Sequence, residues 1–256
     1  MRKEKFLGLE IIGWKNVVRS LEKLQQDRLK ISGIHGRMGR AKREAAGFKV
    51  RSYLLDSNIV DLQELLKKAP EVSYILLHSV SLDETKNKEK VLNNRHLPRT
   101  IMVENHVHKG AMKQALEHTL SLRENGINAG IMIDIVHYFY ENSIPPEKMS
   151  DGWKDMLSTV RKTIKDAKTA DFNTPIGIHL PVGTNEVDSL LLDHVTNGQW
   201  KALADIIHNE ANVPTVLENQ QKDVGLFFLT PEAALVQKGR NEKVFELLVT
   251  NNVILL

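Results

Sequence analysis

Residues 130–139, GIMIDIVHYF, are the stretch on which the expected fold depends. The apolar run Ile131, Met132 and Ile133 ends on Asp134, and His137 follows three residues later. Isoleucine and valine favour strands, and an unbroken apolar run suits a strand that is buried on both faces of a sheet. An aspartate at a strand end often caps a helix or forms a turn. The stretch by itself therefore leaves a cap and a carboxylate–imidazole site as alternatives.

Apolar runs of this kind recur along the chain, and most of them precede a segment with helical spacing. We place eight strands at residues 6–12, 29–34, 74–77, 100–103, 131–133, 175–178, 213–217 and 225–229. The alternation of strands and helices predicts a parallel α/β sheet, and eight units predict a closed (β/α)8 TIM barrel. A single domain would cover residues 1–256. The rival is an open sheet that binds a nucleotide, but no glycine-rich phosphate-binding sequence follows the first strand.

The composition is that of an ordinary globular protein, with 41% hydrophobic and 26% charged residues in 256. A net charge of +3 is compatible with a phosphate-bearing partner. Cysteine is absent, which excludes disulfides and thiolate ligands and favours a cytoplasmic location. No apolar run approaches the roughly 20 residues that cross a bilayer, so we expect no membrane association. The oligomeric state stays open.

Histidines and carboxylates stand at or just beyond the ends of six consecutive predicted strands. They are His35, His78, Glu104, Asp134 with His137, His179 and Glu218. In a barrel the carboxyl ends of all strands meet at one mouth, where active sites lie. Carboxylates held close together repel each other unless a cation lies between them. The pattern therefore predicts a divalent metal, and ligands without thiolate suit zinc, manganese, iron or cobalt.

Further histidines follow Glu104 in the segment NHVHKG, residues 105–110. His106 and His108 could contact the metal ligands and orient them without binding the metal, or they could simply be exposed.

Four short motifs carry a resemblance to a known family: IDIVH at 133–137, VEN at 103–105, IHL at 178–180 and LEN at 217–219. With them the chain resembles the xylose isomerase-like TIM-barrel superfamily, which includes endonuclease IV and many sugar isomerases and epimerases. The resemblance implies that Glu104, Asp134, His179 and Glu218 form the metal-binding quartet of that group.

The endonuclease IV branch implies two or three metal ions, with zinc as the preferred metal. His35, His78 and His137 match its additional ligands, and His194 matches another, although Leu192 stands where that branch has an aspartate. The implied function is a metal-dependent hydrolase in DNA repair that cleaves phosphodiester bonds of abasic-site DNA with a metal-bound hydroxide. Glu104, Glu218 and His137 would be the catalytic residues. The loop after the second predicted strand carries basic residues that would contact DNA phosphates: Arg37, Arg40, Lys42 and Arg43.

The sugar branch implies a different function for the same quartet. One metal ion, such as manganese, cobalt or iron, would bind there, and the enzyme would be an isomerase or epimerase of a small sugar or sugar phosphate. Glu104 and Glu218 would then move protons, and His137 and His179 would hold the sugar. A barrel that binds a metal or ligand without catalysis is a third alternative.

The strand order raises one more hypothesis. Residues 6–12 resemble the family's second strand, and residues 225–229 follow its last strand. We therefore expect residues 225–229 to close the barrel in the first position, as a circular permutation would.

Overall fold

Eight parallel strands form a closed barrel in the order in which they occur along the chain. The computed structural model describes residues 7–11, 33–37, 52–56, 74–93, 99–181, 195–213 and 215–218. The strands are β1 (Leu7–Ile11), β2 (Gly33–Arg37), β3 (Ser52–Asp56), β4 (Tyr74–His78), β5 (Thr100–Glu104), β6 (Ala129–Asp134), β7 (Ile176–Pro181) and β8 (Thr215–Glu218). The predicted (β/α)8 barrel is confirmed.

The circular permutation is wrong, because the barrel closes without residues 225–229. β1 pairs with β2 on one side and directly with β8 on the other, so no position remains between the first and last strands. The strand that the sequence analysis missed is β3, which pairs with both β2 and β4. Residues 225–229 lie outside the described residues.

Five α-helices are present in the described part of the chain. They are α1 (Thr85–Asn93), α2 (Ala111–Glu124), α3 (Ile135–Glu141), α4 (Met149–Ala170) and α5 (Asn197–Asn209). Short 3-10 turns cover Ser79–Leu82 and Pro146–Lys148. Among these described segments, no helix combines the length and apolar character that a membrane crossing requires.

The long helix α4 shows why these segments become helices against the barrel. Its buried residues recur every three or four positions, as Trp153, Met156, Val160, Ile164 and Ala167 do. This spacing places them on one stripe, which packs on the outer face of the sheet. Aromatic rings continue the contact, because the ring of Trp153 lies 6.1 Å from that of Phe139. The helices thus cover the outside of the barrel with one apolar core.

Every second side chain of a strand points into the barrel instead of toward the helices. Leu76 on β4, Met102 on β5 and Met132 on β6 form a small apolar cluster apart from the core under the helices. Gly177 on β7 lets these side chains approach, because a Cβ there would lie 2.8 Å from the Met132 sulfur. Two residues farther along the same strands, the side chains change from apolar to ionisable.

Candidate metal centre

The ends of four neighbouring strands bring four ionisable side chains together at the mouth of the barrel. His78 ends β4, Glu104 ends β5 and Asp134 ends β6, while His179 lies within β7. In the register of the sheet His78 pairs with Glu104, and Asp134 pairs with His179. Glu104, Asp134 and His179 are buried, whereas a quarter of the His78 side chain is exposed. The strand geometry therefore places the polar groups in one layer, with His78 nearest to solvent.

Glu104 lies between two imidazoles. Its Oε1 accepts a hydrogen bond from His179 Nδ1, and its Oε2 lies 3.0 Å from His78 Nε2. Burial by itself would raise the pKa of Glu104, but the charges and hydrogen bonds of His179 and His78 outweigh it and hold the pKa well below its ordinary value. Glu104 is therefore a carboxylate in the folded protein.

Asp134 has two roles, one for each oxygen. Oδ1 accepts a hydrogen bond from the backbone N–H of His137 at 2.9 Å and caps the first turn of α3. Oδ2 lies 3.3 Å from His179 Nδ1 and 3.8 Å from His137 Nε2. Asp134 therefore caps a helix, as one interpretation expected, and its second oxygen also lies beside the two histidines, as the other interpretation requires.

His137 points its outer nitrogen toward this site because its other nitrogen is held. Nδ1 lies 2.7 Å from the backbone carbonyl oxygen of Asn105, to which it donates. Burial lowers the pKa of His137, but the carboxylates of Asp134 and Glu104, together with the Asn105 carbonyl, outweigh burial and raise it above its ordinary value. The imidazole is therefore oriented and made more basic by its surroundings.

Asn105 is a residue of the site that the sequence analysis did not assign. Its side chain is buried, its Nδ2 donates to the Asp134 carbonyl at 3.0 Å, and its Oδ1 accepts from the Asp134 N–H at 2.8 Å. With its own carbonyl bound to His137, Asn105 connects the end of β5 to the end of β6 and the start of α3. In the sequence, the one signal for this role is that an amide side chain directly follows the strand-end glutamate.

Glu104, Asp134 and His137 fit a divalent metal ion. Each offers one ligand atom, and these three atoms lie within 4.8 Å of one another. Two carboxylates and one imidazole are a donor set that zinc, manganese, iron and cobalt accept. Two buried carboxylates so close together also require a compensating positive charge. The donor types and their spacing are therefore ones that a divalent metal ion can accept, and the metal itself stays a prediction.

A row of imidazole rings borders this trio on the solvent side. The ring of His106 lies 5.4 Å from that of His78, 5.8 Å from that of His137 and 6.0 Å from that of His108. Partial burial lowers the pKa of His106, and the neighbouring imidazoles lower it further. His106 is thus mainly neutral near pH 7, and its ring lies among three other imidazoles at the partly exposed side of the trio.

The remaining predicted site residues divide into two groups. His35 and Arg37 lie on β2, and Glu218 ends β8, where it pairs in register with Pro181. These backbone positions belong to the barrel, while their side chains are outside the described part of the structure. The other four lie outside the described residues altogether: Arg40, Lys42, Arg43 and His194. The structure therefore brings together His78, Glu104, Asp134, His137 and His179, and the other assignments stay predictions.

Comparison with known proteins identifies the fold and no family. No family model matches the sequence, and no curated protein matches it. Among solved structures, the phospho-2-dehydro-3-deoxyheptonate aldolase (DAHP synthase) of Thermotoga maritima has 9% identity and a TM-score of 0.52, covering 97% of this chain and 71% of that one. A Schiff base-forming fructose-1,6-bisphosphate aldolase has 14% identity and a TM-score of 0.49, covering 95% of each chain. The 7,8-dihydropteroate synthase of Vibrio fischeri has 10% identity and a TM-score of 0.47, covering 95% and 94%.

The resemblance to the xylose isomerase-like superfamily and endonuclease IV is wrong. The solved structures that match include aldolases, synthases and the N-(5'-phosphoribosyl)anthranilate isomerase of Pyrococcus furiosus. This finding overturns phosphodiester cleavage in DNA repair by a zinc hydrolase, and the sugar isomerase alternative loses the resemblance on which it rested. The physical reason is that the motifs are short. An apolar strand that ends in a carboxylate or histidine at the mouth suits barrel enzymes of many kinds.

Proposed function

We propose that this protein is a divalent-metal-dependent enzyme of the aldol type, which makes or breaks a carbon–carbon bond beside a carbonyl group of a small polar substrate. The observation that carries the proposal is the trio Glu104, Asp134 and His137, whose ligand atoms lie within 4.8 Å of one another at the mouth of a barrel. The DAHP synthase that has the same fold is named as an aldolase. The reaction class proposed for this chain is taken from that name.

The distribution of lysine favours a metal over a Schiff base. An enzyme that forms a Schiff base needs a lysine amine at the site. None of the eight strands contains a lysine at any position. Three of them end instead in His78, Glu104 and Asp134, and β7 carries His179. When bound there, a divalent metal would supply Lewis-acid polarisation of the carbonyl oxygen.

His78 is the residue best placed to move a proton for such a substrate. Its side chain is 25% exposed, and its Nε2 lies 3.0 Å from Glu104 Oε2. A carboxylate beside an imidazole orients the ring and stabilises its protonated form, which is the arrangement of a general base. In the proposed reaction His78 takes a proton from the substrate at the solvent side. The buried His179 contacts both Glu104 and Asp134, and it is a positioning residue.

The proposal predicts exchange of carbon-bound hydrogen that depends on both metal and Glu104. The full chain is stripped of metal with a chelator and resupplied with Mn²⁺, Co²⁺ or Zn²⁺. Hydroxy ketones and 2-oxo acids are then followed in D₂O by NMR, with and without an aldehyde as the second substrate. We expect deuterium incorporation next to the carbonyl, and loss of about 100-fold or more in Glu104→Gln, since a ligand matters at least as much as the groups that support it.

Glu117→Gln is the matched control, because this glutamate lies on α2 with 61% of its side chain exposed. It should exchange deuterium as the unmodified chain does. If the resupplied metals leave exchange and carbon–carbon turnover unchanged, or if Glu104→Gln retains full rate, the proposed function is wrong.

A further inference from the structure

The segment NHVHKG, residues 105–110, connects β5 to α2, and α3 holds it at both ends. At its start, the carbonyl oxygen of Asn105 accepts from His137 Nδ1 at 2.7 Å. At its end, Glu141 Oε1 accepts from the N–H of Gly110 at 2.7 Å. His137 and Glu141 are four residues apart on α3, so they lie on one face of that helix. One helix face therefore fixes the whole connection.

Glu141 takes the place of the capping side chain that α2 lacks. The helix begins after Gly110, which has no side chain and has φ +84°, a left-handed conformation that suits glycine. Glu141 Oε2 also accepts from the N–H of Met112 at 3.4 Å. A carboxylate there satisfies N–H groups that have no partner within the helix, and its charge is favourable at this end of the helix. The end of the segment is thus held from 31 residues away in the sequence.

His106 lies between these two ends, and its ring borders the metal-binding trio. The centre of the ring is 5.8 Å from that of His137, a member of the trio, and 5.4 Å from that of His78, the proposed general base. His106 is half-buried, and its ring makes no hydrogen bond to the residues that the structure describes. The position of the ring therefore depends on the course of the backbone that carries it.

We propose that Glu141 is a positioning residue, which holds the segment so that the His106 ring contacts the substrate beside the trio. This inference rests on the proposed function, because it places the substrate between the trio and His78. Glu141 acts through the backbone, since the two hydrogen bonds described above go to N–H groups. A ring that is already in place loses less conformational entropy when the substrate binds.

The binding of metal should not depend on Glu141. The Asn105 side chain is bonded to both the N–H and the carbonyl of Asp134, so the start of the segment keeps its place when its end is released. His137 then keeps its bond to the Asn105 carbonyl, while the His106 ring loses its fixed position. We therefore expect the loss of Glu141 to weaken the binding of substrate and to leave the binding of metal unchanged.

The first test follows the His106 ring without turnover. Full-length protein with labelled histidine is loaded with Zn²⁺, and nuclear Overhauser effects between imidazole protons are recorded by NMR. We expect effects from His106 to His78 and to His137, and their loss in Glu141→Ala together with faster exchange of the Gly110 amide proton. Glu141→Gln should keep all three observations, because its Oε1 can still accept from the Gly110 N–H.

The second test separates substrate binding from chemistry. The substrate is the hydroxy ketone or 2-oxo acid whose hydrogen the unmodified chain exchanges in D₂O. Glu141→Ala should raise KM about tenfold and keep kcat within about twofold, because the contact with His106 serves binding. Its Zn²⁺ affinity should equal that of the unmodified chain. Thr119→Val is the matched control, because this buried hydroxyl of α2 lies outside the segment, and the variant should keep both KM and the ring contacts.

Three results would overturn the positioning role. If Glu141→Ala keeps the ring contacts, Glu141 is only a helix cap. If the ring contacts are lost and KM is unchanged, the substrate does not touch His106. If Zn²⁺ affinity falls together with the ring contacts, Glu141 serves the metal site instead.

Failure of the proposed function gives a different result. If the unmodified chain exchanges hydrogen in none of the substrates, the proposed function falls together with the substrate contact. Ring contacts that are lost in Glu141→Ala and kept in Glu141→Gln would still show that Glu141 positions His106.

Discussion

Two layers of side chains inside the barrel stand two residues apart on the same strands and have opposite chemistry. The lower layer is Leu76, Met102 and Met132, and the upper layer continues those strands with His78, Glu104 and Asp134. Two residues of a strand span about 7 Å, which is the distance between successive side chains on the same face. The change from apolar core to ionisable site takes place over that distance. Both layers are buried, apart from His78. The barrel therefore separates stability from chemistry by position along a strand.

The two layers differ in how burial affects the free energy of unfolding. Burial of a methionine side chain contributes about 1.5–3 kcal/mol. Burial of an ion costs several kcal/mol, which its partners repay only when geometry is good. The hydrogen bonds of Glu104 to two histidines offset much of this cost. Perturbed pKa values in buried groups cluster at functional sites, and that is the physical reason to look for function in this layer.

The largest expected effect on stability comes from the lower layer. Met132→Ala should lower the free energy of unfolding by about 2–5 kcal/mol, because it leaves a cavity beside Leu76 and Met102. Its folded form should bind metal with unchanged affinity, since no ligand is touched. Urea unfolding and metal titration measure the two quantities. A Met132→Ala protein with normal stability, or with metal affinity reduced as much as in Glu104→Gln, would show that the layers are not separate.

The sequence predicts the strands that have a clear apolar pattern of their own, and it misses β3, which is defined by its pairing with neighbouring strands. β5 and β6 are apolar runs that end in a carboxylate, and β7 has apolar residues on both sides of His179, so their existence follows from the side chains alone. β3, SYLLD, is five residues long, and pairing with its two neighbours defines it better than its own composition does. Residues 225–229, GLFFL, have a stronger apolar pattern, which predicts a strand there.

The site shows the same division between local and long-range information. Glu104, Asp134 and His179 could be placed from strand ends, because a barrel brings all strand ends to one mouth. Asn105 could not be assigned, since its hydrogen bonds go to Asp134, 29 residues away. The family could not be found either, because the motifs that suggested it describe a barrel mouth in general.

Asn105 offers a sharper test, because it supports the upper layer without being a ligand. Asn105→Ala removes both side-chain hydrogen bonds to the backbone of Asp134 and leaves buried groups without partners. We expect a loss of about 1–3 kcal/mol in the free energy of unfolding. Metal affinity should fall by about 10–100-fold, because Asp134 and His137 lose their orientation.

Thr119→Val is the matched control for Asn105→Ala. The Thr119 hydroxyl lies on the buried face of α2, where it donates to the Ala115 carbonyl at 2.8 Å and lies 3.3 Å from the carbonyl of Gly130, near the start of β6 and away from the mouth. This variant should lose stability and keep its metal affinity. If both variants lose stability alone, Asn105 is part of the scaffold and has no positioning role in the site.

The smallest effect is expected at the opposite end of the barrel, at the ion pair of Arg123 and Asp171. Arg123 donates from Nε to Asp171 at 3.0 Å and from Nη1 to the Ala129 carbonyl at 2.7 Å. The hydrogen bond from Arg123, with one from the backbone of Asn173, lowers the pKa of Asp171 below its ordinary value. A lowered carboxyl pKa means that the folded state prefers the ionised form, so its stability is present above the ordinary pKa and is lost as the pH falls through the folded one.

Asp171→Asn should therefore lower the melting temperature slightly at pH 7, and the difference from the unmodified chain should vanish in acid. Asp171 is 40% exposed, so added salt should reduce the difference as well. Metal affinity should stay unchanged at every pH at which the protein is folded. Thermal melts between pH 2 and pH 7, with metal titrations at pH 7, measure both. A difference in melting temperature that is constant with pH would show that Asp171 acts through packing, and a change in metal affinity would show that the two ends of the barrel are coupled.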